Sequence, residues 1–101
     1  MPSLQLVAHP GFRRDYLSAF SWTEKHLSEK AVHKFKSEIR TCFIEIQNNP
    51  KGHHFDITGR RRYNFKTLPY AVIYQEFETE IVLFTLRHDA QSPKFGSRRQ
   101  A

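Results

Sequence analysis

The apolar residues of this chain recur with a helical period in its first half. Over residues 29–48 they are spaced three and four apart, which predicts a helix with one buried face. Ser28 is placed to cap the start of this helix, and Pro50 follows its end. A less regular stripe over residues 13–27 predicts an earlier helix, with Trp22 lying off its apolar face.

In the second half the period changes to two, which predicts β-strands. Strands are predicted at 60–67, 70–77 and 79–88, and the last two are close enough in sequence to form a hairpin. A short strand is also predicted at 4–8, ended by a turn at residues 10–11, which are Pro-Gly. The order of these elements predicts an α+β fold, with two N-terminal helices packed on one face of a small, mainly antiparallel sheet.

Length and composition limit the classes of protein that fit. The 101 residues predict a single domain, 1–101, with a core over about 3–95 and a polar, basic tail at 91–101. A hydrophobic content of 39%, with 14% aromatic residues, indicates a folded chain and excludes a disordered basic tail. No apolar run approaches the length of a membrane span, and no secretory signal is evident, so we expect a cytoplasmic protein with no membrane partner. The single cysteine, Cys42, excludes an internal disulfide and belongs to the apolar stripe of the second helix. No metal and no cofactor are predicted.

The net charge of +6 points to a polyanionic or acidic partner. The positive charge is concentrated in two patches, which comprise Arg60, Arg61, Arg62 and Lys66, and Lys94, Arg98 and Arg99. The acidic residues between these patches are predicted to form a solvated hairpin turn.

Several motifs, taken in order, resemble the RelE/ParE toxin superfamily. They are Asn49-Pro50-Lys51-Gly52, Arg61-Arg62, Leu68-Pro69-Tyr70-Ala71-Val72-Ile73-Tyr74, the stretch Ile81–His88, and Pro93. The resemblance covers about 29–95. It implies a curved sheet under two helices, and it implies the toxin of a type II toxin–antitoxin module. The partner implied is an acidic antitoxin that folds as it binds the toxin.

The superfamily contains two unlike activities. RelE-type members resemble ribosome-dependent endoribonucleases that cut mRNA, whereas ParE-type members poison DNA gyrase. The strand that follows Pro69, with Tyr70 at its start, looks more like ParE and its plasmid-stabilisation relatives. Family members often continue the histidine as His-x-Arg-Arg-x-Pro, but here Ala90 and Gln91 stand in place of the two arginines.

As a metal-independent endoribonuclease, the chain would use His88 as the proton carrier and cations such as Arg62 and Arg87, or Arg61, on the phosphate. Strand alternation places Arg87 and His88 on opposite faces. It also places His88 on the same face as Val82, Phe84 and Leu86, and a structural histidine is therefore the alternative interpretation.

As a binding protein, the chain would contact its target or its antitoxin through the two basic patches and Tyr70. Tyr63, Tyr70 and Tyr74 either stack bases or pack in the core. The leading hypothesis is a growth-inhibiting, ParE-like toxin that binds gyrase. The alternatives are a RelE-like nuclease acting on mRNA at the ribosome, and a non-toxic basic binding module.

Overall fold

The computed structural model describes residues 4–101, so the predicted start of the core at residue 3 lies outside the described part. The elements in chain order are β1 (Gln5–Ala8), α1 (Pro10–His26), α2 (Glu29–Asn48), β2 (Arg61–Asn64), β3 (Tyr70–Glu76) and β4 (Glu80–His88). This order confirms the predicted α+β class. Within residues 4–101, no helix is long and apolar enough to cross a membrane.

The four strands form one sheet in the order β1-β4-β3-β2. β2 pairs antiparallel with β3, and β3 pairs antiparallel with β4. β1 lies parallel to β4, because the two helices carry the chain back across the sheet before β2 begins. The sheet is therefore mixed, with two antiparallel pairs and one parallel pair.

α1 begins three residues earlier than the pattern predicted. The predicted turn at residues 10–11 is wrong, because Pro10 and Gly11 are the first two residues of the helix. Proline is favoured there, since its missing N–H would have no partner in the first turn. The His9 side chain caps the helix, and its Nδ1 accepts from the Gly11 N–H at 2.9 Å. α2 spans 29–48 as predicted, with its cap at Ser28.

The core lies between the two helices and one face of the sheet. Phe35 of α2 is at its centre, with its ring 5.6 Å from those of Tyr16 and Tyr70. Cys42 is fully buried in this core, as predicted, and burial raises the pKa of its thiol.

β4 contains an irregularity that changes which side chains face the core. Its register with β3 moves from Ile73 opposite Thr85 to Tyr74 opposite Leu83, which leaves Phe84 as an extra residue. Leu83 and Leu86 therefore both face the helices. The predicted common face of His88 with Val82 and Phe84 is wrong, because the bulge shifts the alternation by one residue.

The C-terminal tail packs against the opposite face of the sheet. Its turns bring Gly96 against Thr85, and the Arg99 guanidinium donates to the Phe84 carbonyl at 2.8 Å. Phe95 of the tail is half-buried, and polar contacts also hold the tail on the sheet.

Candidate functional site

The cations predicted for a nuclease are engaged in internal ion pairs. Arg87 lies under the tail, where its guanidinium donates to Asp56 at 2.9 Å and to the Pro93 carbonyl at 2.7 Å. Its side chain is 5% exposed, and that of Asp56 is 2% exposed. Arg62 contacts the same carboxylate at 3.5 Å and Asn64 at 2.6 Å. Asp56 therefore neutralises much of the positive charge that would otherwise be available to bind a phosphate.

His88 lies on the other face of the sheet from Arg87, as the alternation predicted. Its ring meets the Tyr70 ring edge-on at 5.0 Å. The Ala90 N–H donates to His88 Nδ1 at 2.9 Å, so the proton of the neutral ring is on Nε2. The ring nitrogen left for other partners is a donor, whereas a general base needs a lone pair there. This geometry is typical of a histidine that orders a turn.

Most of the first basic patch is committed to internal contacts. Arg60 lies over the Phe84 ring at 3.7 Å and donates to the carbonyls of Ser97 and Arg99. Arg61 pairs with Glu76 at 3.0 Å. The hairpin turn was predicted to be solvated, but Glu76 belongs to this ion pair and is not free in solvent.

The remaining predicted binding residues differ in their surroundings. Lys66 is exposed and pairs with Glu45 at 3.0 Å. Arg99 pairs through two nitrogens with Asp15 of α1, at 2.5 and 3.1 Å. Lys94 and Arg98 are exposed on the tail. Only part of the predicted basic surface therefore faces outward.

The three tyrosines belong to the core face of the sheet. Tyr63 and Tyr74 are buried, and their hydroxyls donate to Glu45 at 2.5 Å and to the Pro50 carbonyl at 2.7 Å. Burial raises the pKa of both phenols, and the Glu45 carboxylate adds to the rise at Tyr63. Tyr70 is half-buried, packed on Phe35 and His88. Of the two interpretations offered for these tyrosines, the structure supports packing.

Two exposed apolar side chains were missed from the sequence. Phe55 is 66% exposed and Ile57 is 74% exposed, on the loop before β2. Between them Asp56 points inward, to Arg87 and Thr58. The Arg61 guanidinium covers the Phe55 ring at 4.2 Å. Asp56 therefore anchors residues 55–60, which we refer to as the rigid loop, and Phe55 and Ile57 are exposed on it. The pattern Phe55-Asp56-Ile57, with an acidic residue between two apolar ones, could have identified them from the sequence.

A second surface missed from the sequence is an apolar groove of about 280 Å³ between α1 and α2. Residues of β1 and both helices form it, namely Ala8, Phe12, Arg13, Tyr16, Leu17, Ile39 and Phe43. Leu17 is 63% exposed at its rim. Exposed apolar grooves of this kind are typical of protein-binding surfaces.

No group of three or more His, Cys, Asp or Glu residues within 4–101 is arranged to hold a metal ion. His53 packs edge-on against the rings of Tyr63 and Tyr74.

Comparison with known proteins identifies the family. The model of the family described as "ParE toxin of type II toxin-antitoxin system, parDE" matches residues 6–93. A solved structure, "Chromosomal ParDE TA system from P. aeruginosa", superposes with a TM-score of 0.69 at 15% identity, covering 84% of this chain and 95% of that one. The search of curated proteins finds no match. The fold agrees with that of the solved structure, and the family match covers most of the chain. The chain therefore belongs to the ParE toxin family of type II toxin–antitoxin systems.

Proposed function

We propose that this ParE-family chain inhibits growth in the cytoplasm by binding DNA gyrase, and that it does not cleave RNA. The main observation behind this proposal is that the residues predicted for catalysis are already engaged in contacts within the protein. Arg87 and Arg62 share the Asp56 carboxylate, and the outward nitrogen of His88 is a donor. Phosphate cleavage needs uncompensated cations and a proton acceptor near one atom, so this arrangement favours a binding mechanism.

The rigid loop is the part of the surface best suited to a large target. Phe55 and Ile57 are exposed while the backbone beneath them is fixed, since the Asp56 N–H donates to the Arg60 carbonyl at 2.6 Å. A fixed loop loses little conformational entropy when it binds. Lys51 is exposed on the segment that leads into the loop, which suits a target that includes DNA.

The apolar groove between the helices suits the antitoxin. Its lining is almost entirely apolar except for Arg13, and Lys36 and Arg40 are exposed on α2 within a turn of Ile39, which lines the groove. An amphipathic segment with acidic flanks would match both properties. We therefore place the antitoxin on the helices and the target at the loop.

Induced expression tests these assignments. Wild-type chain should arrest growth, and co-expression of the neighbouring antitoxin should relieve the arrest. The His88→Ala variant should still be toxic, whereas the double variant Phe55→Ser/Ile57→Ser should lose toxicity and still bind antitoxin. New mRNA ends on translating ribosomes, lost in His88→Ala, would contradict the proposal.

A further inference from the structure

A groove of about 640 Å³ lies between α1, the end of β4 and the tail, on neither of the surfaces assigned above. Its two walls are built from α1 and from the segment after β4, with Arg14, Ser18 and Trp22 on one side and His88, Gln91 and Phe95 on the other. Ala19 and Leu86 contribute apolar surface. The size and the mixed lining are those of a small-molecule site.

The α1 wall presents its groups in a definite order. Arg14, Ser18 and Trp22 are spaced four residues apart and so form one row along the helix, about 12 Å long at 1.5 Å per residue. All three are exposed. The row runs from a cation through a hydroxyl to an indole ring, which is the order in which a nucleotide presents phosphate, sugar and base.

The polar groups that remain available in the groove are mainly donors. Asp15 is the only carboxylate among the lining residues, and its oxygens already accept from Arg99 and from the Leu86 N–H at 3.1 Å. His88 presents Nε2–H, because its Nδ1 accepts from the backbone. The ion pairs among residues 4–101 do not include Arg14. The groove is therefore suited to an anion.

We propose that this groove binds a nucleotide, with the base against Trp22 and the phosphate at Arg14. Aromatic stacking and a charge-assisted phosphate contact are the two interactions that this ligand class needs. Tyr70, which packs on His88, and Phe95 supply further aromatic surface in the groove. The site is independent of the gyrase proposal, since it shares no residue with the rigid loop.

Trp22 is the only tryptophan of the chain, so its fluorescence reports on this groove alone. Titration with adenosine monophosphate should quench the emission saturably. Adenosine without phosphate should bind at least tenfold more weakly, and inorganic phosphate should compete with the nucleotide. Absence of saturable quenching at millimolar nucleotide would overturn the proposal.

A matched pair of variants makes the test specific. Arg14→Gln should weaken nucleotide binding about tenfold or more, because it removes the phosphate cation from an exposed position. Lys34→Gln removes a positive charge from an exposed residue of α2 that lines neither groove, and should leave binding unchanged. Equal affinities of Arg14→Gln and wild type, with both chains folded by circular dichroism, would overturn the proposal.

The same readout distinguishes two sources of the nucleotide. A 5′-phosphorylated single-stranded oligonucleotide that binds more tightly than the mononucleotide would identify a strand end as the ligand. A mononucleotide that binds at least as tightly as the oligonucleotide would identify a free nucleotide. Either result supports the site, provided that Arg14→Gln weakens it.

Discussion

Arg87 of β4 donates to both carboxylate oxygens of Asp56, at 2.9 and 3.3 Å, in an almost fully buried ion pair. The pair joins the sheet to the rigid loop and neutralises one of the cations predicted for a nuclease. Removing one partner leaves the other charged and buried, and this is strongly unfavourable.

The Asp56→Ala variant should therefore lose about 3–5 kcal/mol of unfolding free energy, measured by urea denaturation. Asp89→Ala removes an exposed carboxylate on the following turn and should change stability by less than about 0.5 kcal/mol. Equal losses of unfolding free energy in the two variants would show that the buried ion pair stabilises the fold no more than an exposed carboxylate does.

The same pair should give the fold an acid-sensitive component. Burial disfavours the charged form of Asp56, but hydrogen bonds from Arg87 and Thr58 outweigh it and lower its pKa from 3.8 to about 2. Because the folded pKa lies below the unfolded one, this stability is present above about pH 4 and lost as the pH falls toward 2. The loss should be about 2 kcal/mol, seen as a falling Tm in acid. Burial also disfavours the charged form of Glu38, but hydrogen bonds from residues 66–68 outweigh it, so the pKa of Glu38 is lowered and adds to the trend.

An Asp56→Asn variant is the control for this titration. Its stability should fall less steeply with pH over the same range, because residue 56 no longer takes up a proton. A decline as steep as that of the wild type would assign the acid sensitivity to other carboxylates.

Gly96→Ala should release the C-terminal tail. Gly96 has φ of 75°, and an added Cβ would collide with the Thr85 side chain. Gly59 has φ of 87° with nothing near its missing Cβ, so Gly59→Ala carries the backbone strain without the collision. Limited trypsin digestion should cut at Arg98 and Arg99 faster in Gly96→Ala, while Gly59→Ala should keep the tail protected. Similar cleavage in both variants would mean that strain alone loosens the chain.

Leu17→Glu should weaken antitoxin binding by roughly tenfold or more, because it places a carboxylate at the rim of a groove proposed to receive an acidic, apolar segment. Ile44→Glu makes the same change at an exposed apolar residue of α2 that does not line the groove. Calorimetric titration should find near wild-type affinity for Ile44→Glu. A larger loss in Ile44→Glu than in Leu17→Glu would move the antitoxin to another face.

Local patterns predicted much of the fold. The apolar stripe and Ser28 were sufficient to place α2, because amphipathic period and capping act over a few residues. The Phe84 bulge could not be predicted in this way, since it depends on how β4 matches β3 and leaves no local signature. One extra residue was enough to reverse the faces expected for Val82 and Phe84.

The candidate site was harder to predict than the fold. A run of arginines indicates positive charge, but its availability depends on partners far away in sequence. Asp56 meets Arg87 across 31 residues, and Asp15 meets Arg99 across 84. Such pairs form only when the sheet and the tail have packed, so the sequence predicted more exposed charge than the surface carries.

We propose that this ParE-family chain acts by binding gyrase, and a supercoiling assay with purified gyrase measures this action without other cellular components. Purified wild-type chain and His88→Ala should both inhibit supercoiling and stabilise gyrase-cleaved DNA, with Phe55→Ser/Ile57→Ser inactive. Unchanged supercoiling and cleavage, at concentrations of wild-type chain that bind antitoxin, would show that gyrase is not the target.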